Sequence, residues 1–215
     1  MNRSDFIRAN TELLSPPLVP EVSLRLATEI MPLWRKSEEE LEAMGVPPPY
    51  WAFAWAGGQA LARYVLDNRE VIRGKRVLDF GSGSGLVGIA AAKAGAASVL
   101  SADIDRYAEA AIRLNAEANG VSIATTTDDV IGIAGDWDII LIGDMCYERP
   151  LAERLLAWLR DSGADALLGD PGRSYFPKSD VARLALYNVQ VTRDLEDREI
   201  RETGVYRLLT GAGPV

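Results

Sequence analysis

"VLDFGSGSGLVG", residues 77–88, runs from an apolar segment through three alternating glycines into a second apolar, alanine-rich segment. Lys75 to Phe80 reads as a buried strand and Leu86 to Ala94 as a helix. Gly81, Gly83 and Gly85 between them allow a tight turn and close approach of the backbone to a ligand. Gly83, Gly85 and Gly88 also satisfy the G-x-G-x-x-G spacing of dinucleotide-binding turns. A strand, a glycine turn and a helix in this order open an α/β sheet.

The pattern continues downstream. Ser98 to Ala102 reads as a strand and Tyr107 to Ala118 as a helix. Ile123 to Thr127 reads as a short strand and Trp137 to Ile142 as a buried one. Leu151 to Leu159 reads as a helix and Ala164 to Leu168 as a strand. Such alternation predicts a Rossmann-like, doubly wound α/β sheet of seven strands, mostly parallel, with helices on both faces. Asn188 to Leu195 and Thr203 to Leu209 are expected to add an antiparallel C-terminal edge hairpin. Ligands of these sheets lie beyond the carboxyl ends of the strands, near the switch in strand order.

Residues 1–74 read differently. Pro16-Pro17 and Pro47-Pro48-Pro49 punctuate them. Val22, Leu24, Leu26, Ile30 and Leu33 suggest an amphipathic helix, Ser37 to Glu40 a capped helix start, and Gly58 to Val71 a further helix. The expected organisation is one compact domain, with residues 1–74 a helical extension covering the active site and residues 75–215 the core.

Composition narrows the chemistry. The chain contains no histidine and one cysteine, Cys146. That removes Ser-His-Asp triads, Cys-His pairs, intrachain disulfides and the common zinc patterns. The formal net charge is −8, a poor match to nucleic acid. No stretch approaches the ~18 apolar residues of a membrane span, and no leader-like segment opens the chain. A soluble, cytoplasmic, monomeric protein with no metal, nucleic-acid or membrane partner is expected.

Which ligand suits the glycine turn? Asp103 ends the next strand, where a carboxylate can take two ribose hydroxyls. Asp79 stands two residues before Gly81 and would repel a pyrophosphate. It suits an amino group, or the ordering of the loop. A nucleoside with a cationic amino-acid tail and no phosphate fits best, and S-adenosylmethionine is such a ligand.

With these residues in view, the chain resembles the seven-strand class I methyltransferases, "VLDFGSGSG" matching their first motif and "SADID" (residues 101–105) their ribose motif. The resemblance implies that Asp79 and the turn Gly81, Ser82, Gly83 and Gly85 line the methionine part, that Asp103 holds the ribose and that Ile104 lies against the adenine. In "TTTDD", Asp128 or its neighbour Asp129 would accept from the adenine amino group. A further segment, "GDMCYE" (residues 143–148), follows the fourth core strand. Asp144 followed three residues later by Tyr147 resembles family-16 protein methyltransferases, several of which modify lysine. "SPPLVPE", "PPYWAFAWAGGQALARYVLDN", "GDMCYE" and "GDPGR" together resemble the electron transfer flavoprotein β-subunit lysine methyltransferases. One departure is Ala56, where that family's segment has proline.

The resemblance implies a protein substrate, the electron transfer flavoprotein β-subunit, with S-adenosyl-L-homocysteine as product. Asp144 and Tyr147 are the expected catalytic pair, with Asp144 orienting the incoming ammonium. Trp55 is expected near the cofactor, and Trp51, Asp170 and Arg173 at the substrate mouth. For Asp144 the alternative is an N-cap of the following helix. For the aromatics it is core packing, and for "GDPGR" a plain turn. Cys146 is expected to be a small, partly buried side chain without chemistry. Other functions compatible with the residues are methylation of another protein of the ribosomal L11 type or of a small amine, an NAD-dependent oxidoreductase, and a noncatalytic cofactor-binding module.

Overall fold

The computed structural model describes residues 2–28, 47–191 and 200–209. Its main sheet has seven strands: β3 (Arg76–Phe80), β4 (Ser98–Ala102), β5 (Ala124–Thr126), β6 (Ile139–Gly143), β7 (Asp165–Asp170), β8 (Val181–Gln190) and β9 (Ile200–Leu208). They lie in the order β5-β4-β3-β6-β7-β9-β8. The first five are parallel, and β9 runs antiparallel to both β7 and β8. The expected doubly wound sheet with an antiparallel edge is present. Strand order reverses between β3 and β6, so the crevice opens where the glycine turn and the Asp144 turn stand side by side.

The central strands are continuous apolar runs because helices cover both faces. Leu78, Ile140, Ile142 and Leu168 pack on one side with Leu155, Trp158 and Leu159 of α5 (Arg149–Asp161). Val77, Ile139, Leu141 and Leu167 pack on the other with α2 (Ala56–Asp67) and α3 (Leu86–Ala94). Among the described residues the further α-helices are α1 (Arg3–Asn10) and α4 (Arg106–Ala118). Phe80 and Ala102 end their strands at the floor of the crevice.

Two expectations change. The helix anticipated over Val22 to Leu33 is, at Leu24–Leu26, strand β2, paired antiparallel with β1 (Glu12–Leu14). Its backbone is claimed by α4: Asn115 Oδ1 accepts from the Arg25 N–H at 2.7 Å, and the Asn119 side chain both accepts from the Ser23 N–H and donates to its carbonyl. These side chains lie about ninety residues away in sequence, so local periodicity could not reveal them. Residues 29–33 and the helix start at Ser37 lie outside the described residues. The first edge strand begins at Val181, seven residues earlier than expected, with Leu184 and Leu186 exposed. An outer edge strand carries only a weak alternation. Residues 192–195 lie outside the described residues.

Candidate functional site

The glycine turn is built from below. Gly81, Gly83 and Gly85 all have positive φ, at 62°, 51° and 80°. Asp79 is 1% exposed and does not line the cleft. Its Oδ2 accepts from the Ser82 hydroxyl, the Gly88 N–H and the Ser101 hydroxyl, at 2.7, 3.0 and 3.0 Å. Of its two anticipated uses, these contacts are those of loop ordering. Burial pushes its carboxyl up to about 6, against the pull of those three donors.

Above the turn lies a cleft of about 510 Å³. Asp103 forms one wall. One carboxylate oxygen accepts from the Gly83 N–H at 2.8 Å and the other from the Asp105 N–H at 3.0 Å. Both donors lie on the backbone, so the carboxylate is fixed in orientation while retaining acceptor capacity. Burial raises its pKa. Ile104 is 76% exposed at the rim. Asp128 and Asp129 both line the cleft. Asp128 accepts from the Thr126 hydroxyl, whereas Asp129 is paired with Arg154 at 2.8 Å and held low by it.

Both anticipated tryptophans line the cleft. Trp51 is 1% exposed, stacks at 12° on Tyr107 of α4 and passes its backbone beside Gly83, so it stands at the glycine turn rather than the mouth. Its indole N–H is buried without a protein acceptor. Trp55 lines the same cleft, with Arg173 over its ring at 5.7 Å, Tyr50 beside it and its indole N–H donating to the Tyr50 carbonyl at 2.9 Å. Tyr50 in turn meets Tyr147, with ring centroids 6.3 Å apart. Burial raises the Tyr147 phenol.

Asp144 follows β6 in a left-handed conformation, φ 59°, and is 8% exposed. It does not cap α5, whose N-cap is Glu148. Its Oδ2 accepts at 3.0 Å from the N–H of Gly58, in the first turn of α2, a helix whose own N-cap, Trp55, supplies no side-chain bond. Its Oδ1 accepts twice from Arg173, Nε at 3.2 Å and Nη2 at 2.8 Å. The carboxylate is thus already engaged by a guanidinium and a helix N-terminus, which amends the expectation that it simply faces an incoming ammonium. Arg173 is itself positioned by Asp170, 2% exposed, whose Oδ1 accepts from the backbone N–H groups of Gly172 and Arg173, each at 2.7 Å. Asp170 holds the backbone that carries Arg173 and does not line the cleft. Burial pushes Cys146 up to about 12, leaving an inert thiol.

Sequence reading missed Gly58, Met145, whose side chain fills the space beside Gly81, and the two cleft prolines Pro47 and Pro48. The paired glycines Gly57-Gly58 were the available signal for the first. Fit to S-adenosylmethionine follows from the cradle. The left-handed glycines open the backbone at the cleft, Asp103 offers fixed acceptors and Trp51 an unpaired donor. The arginines among the described lining residues, Arg154 and Arg173, are turned to Asp129 and Asp144 rather than to a phosphate.

Comparison with known proteins agrees. The family model for ribosomal protein L11 methyltransferase (PrmA) matches residues 58–142. The fold resembles magnesium protoporphyrin IX methyltransferase from Synechocystis, solved with bound S-adenosylmethionine, at a TM-score of 0.53 and 22% identity, over 70% of this chain and 78% of that one. It also resembles a Thermoplasma acidophilum protein at a TM-score of 0.58 and 19% identity, over 72% of this chain and 91% of that one. With the relatives that follow, the seven-strand fold and its glycine turn define an S-adenosylmethionine-dependent methyltransferase. The electron transfer flavoprotein beta subunit lysine methyltransferase of Xenopus laevis is 42% identical over 211 residues, which span 94% of this chain and 85% of that protein. The human protein of the same name is 42% identical over 80% of this chain and 67% of its own length. The chain belongs to this family of lysine methyltransferases.

Proposed function

We propose that the protein methylates lysine side chains of the electron transfer flavoprotein β-subunit. The observation that carries this reading is the Asp144-Met-Cys-Tyr147 turn, which stands beside the glycine turn at the strand-order switch in a chain 42% identical to methyltransferases named for that substrate. The L11 model stops at Ile142, just short of that turn, and so matches the cofactor half. The net charge of −8 supports a protein acceptor over nucleic acid. No helix among the described residues is long and apolar enough to cross a membrane. The protein acts as a cytoplasmic monomer.

Gly81, Ser82, Gly83 and Gly85 hold the methionine part, with Asp79 ordering the turn from beneath. Asp103 takes the ribose hydroxyls, Ile104 covers the adenine and Asp128 accepts from its amino group, since Asp129 is committed to Arg154. The bound cofactor supplies an electrophilic methyl group on a sulfonium sulfur. Residues 47–55 wall the cleft, which supports reading residues 1–74 as its cover.

The acceptor must be a neutral amine. With a pKa of ~10.4, about one lysine in 2,500 is neutral at pH 7, a cost of roughly 4.6 kcal/mol. Tyr147, Tyr50 and Trp55 wall the acceptor side and orient the amine. Asp144 holds that wall together through Gly58 and Arg173 and lies on the proton's way out. Alignment of nitrogen and methyl provides most of the acceleration. Incubation with labelled S-adenosylmethionine and a cell extract lacking this protein tests the reading. A labelled band at the β-subunit, with label on lysine, supports it, and label elsewhere overturns it.

A further inference from the structure

We infer that Tyr107 is a positioning residue for the cofactor and that α1, which lies outside the cleft, sets cofactor affinity through it. The inference rests on the placement of the ribose at Asp103. Tyr107 lies in the first turn of α4. Its ring stacks on Trp51, with centroids 6.3 Å apart and planes at 12°. Side chains of α1 hold the same ring: Phe6 meets it edge-on at 5.4 Å and 68°, and the Arg3 guanidinium lies 5.7 Å from its centroid. Among the described residues Trp51 lines the cleft, whereas Arg3, Phe6 and Tyr107 do not. The tyrosine therefore links a peripheral helix to the cleft wall.

A second line of contacts returns to the same place. The Tyr107 N–H donates to Asp105 Oδ1 at 2.8 Å, and the Asp105 N–H donates to Asp103 Oδ1 at 3.0 Å. Asp103 Oδ2 accepts from the Gly83 N–H at 2.8 Å. Gly83 lies against the Trp51 backbone, where a Cβ on the glycine would stand 3.8 Å from the Trp51 Cα. The contacts close a circuit, from Tyr107 through Asp105, Asp103, Gly83 and Trp51 back to Tyr107. A carboxylate that takes two vicinal hydroxyls depends on its angle as much as on its charge. The two N–H groups that fix this angle belong to Gly83, beside Trp51, and to Asp105, which caps the turn that carries Tyr107. Loosening the stack leaves the sheet covered. Trp51 and Tyr107 belong to a small apolar cluster with Ile7, Ala52 and Ala108, apart from the two clusters on the faces of the sheet.

The test uses the full chain and isothermal titration with S-adenosylhomocysteine. That readout needs no acceptor, so it stands apart from the identity of the methylated protein. Tyr107→Ala weakens binding about five- to tenfold and Phe6→Ala about two- to fivefold, the effect of losing a ring-on-ring contact. Tyr107→Phe keeps the ring and binds within about twofold of the wild type. With the β-subunit as acceptor, KM for S-adenosylmethionine rises in step while kcat at saturating cofactor stays within about twofold. In an Asp103→Asn background either alanine variant costs less than about twofold more, because both act through the same carboxylate. Phe6→Ala, on α1, carries the same test if Tyr107→Ala does not fold. A lower Tm with unchanged affinity in Phe6→Ala would reduce the stack to a structural contact and overturn the inference. Losses that add in full to that of Asp103→Asn overturn it equally. An Asp103→Asn protein with wild-type affinity overturns the ribose placement and the inference with it.

Discussion

Gly57 and Gly169 meet backbone to backbone where α2 crosses the end of β7, so that a Cβ on either would overlap the carbonyl oxygen of the other. A Cβ on Gly57 would also press on Asp144 Oδ2. The contact lets the first turn of α2 reach Asp144 and deliver the Gly58 N–H. Ala56 is the first helical residue, the position where the relatives' proline would fit without loss of a bond.

Gly57→Ala should therefore cost stability and acceptor-side geometry together. Overpacking of about 1–3 kcal/mol is expected, a fall of several degrees in Tm. Thermal unfolding measures the first effect. Methyl transfer should drop more than cofactor affinity, and a variant with unchanged Tm and turnover would show that α2 can shift freely.

Asp103→Ala should weaken S-adenosylmethionine binding by about 1.5–3 kcal/mol, through loss of a charged acceptor for two hydroxyls. Isothermal titration reads this directly. Equal affinity in wild type and variant would place the ribose elsewhere in the cleft.

Asp144→Asn removes the charge that pairs with Arg173. Methyl transfer should fall ten- to a thousandfold, about 1.4–4 kcal/mol of transition-state stabilisation. Cofactor affinity should change less than about threefold, since the adjacent contacts of Asp144 are to Gly58 and Arg173. Tyr147→Phe should follow the same pattern more mildly. Abolished cofactor binding in a folded Asp144→Asn protein would assign the turn to the cofactor instead.

Activity should rise between about pH 7 and 9.5 with the neutral fraction of lysine, provided chemistry limits the rate. Tyr147, raised by burial, and Cys146, at about 12, remain protonated across that range. A flat single-turnover profile would exclude an ordinary lysine as acceptor.

Stability should run the other way. Burial pushes Asp79 and Asp170 up to about 6 in the folded protein, above their unfolded value of about 3.9. As the pH falls through 6 the folded state takes up protons that the unfolded chain does not, so folding is favoured down to about pH 4. Burial gives Asp103 and Asp105 the same sign. Asp138, held down to about 2 by Arg76, acts oppositely, but only below about pH 4. Calorimetric Tm should rise from pH 7 to 5, and Asp170→Asn should lose part of that rise, on the order of 1 kcal/mol. A Tm that falls across this range in the wild type would contradict the burial of these carboxylates.

Much of the core was legible because its signals are local. Strands β3, β4 and β6 are short apolar runs, α3 and α4 have helical composition, and the glycines of residues 81–85 announce their own conformation. The acid after β4 and the Asp144–Tyr147 turn could be placed at the cleft on the same ground, since strand ends in a parallel sheet face one edge. What only the tertiary structure decided is which partners those groups meet. Leu24–Leu26 became a strand because Asn115 and Asn119 bind its backbone. Trp51 is buried because α4 offers Tyr107 to its ring, and Trp55 lies under the guanidinium that the turn after β7 offers, Arg173. Asp144 accepts from the Gly58 N–H because three glycines, Gly57, Gly143 and Gly169, let α2 settle on the ends of β6 and β7, and it pairs with Arg173 because the turn after β7 folds back on it. Periodicity along the chain reports which face a residue takes. Charge compensation is fixed by distances between segments dozens of residues apart, and those exist only once the sheet has closed around its crevice.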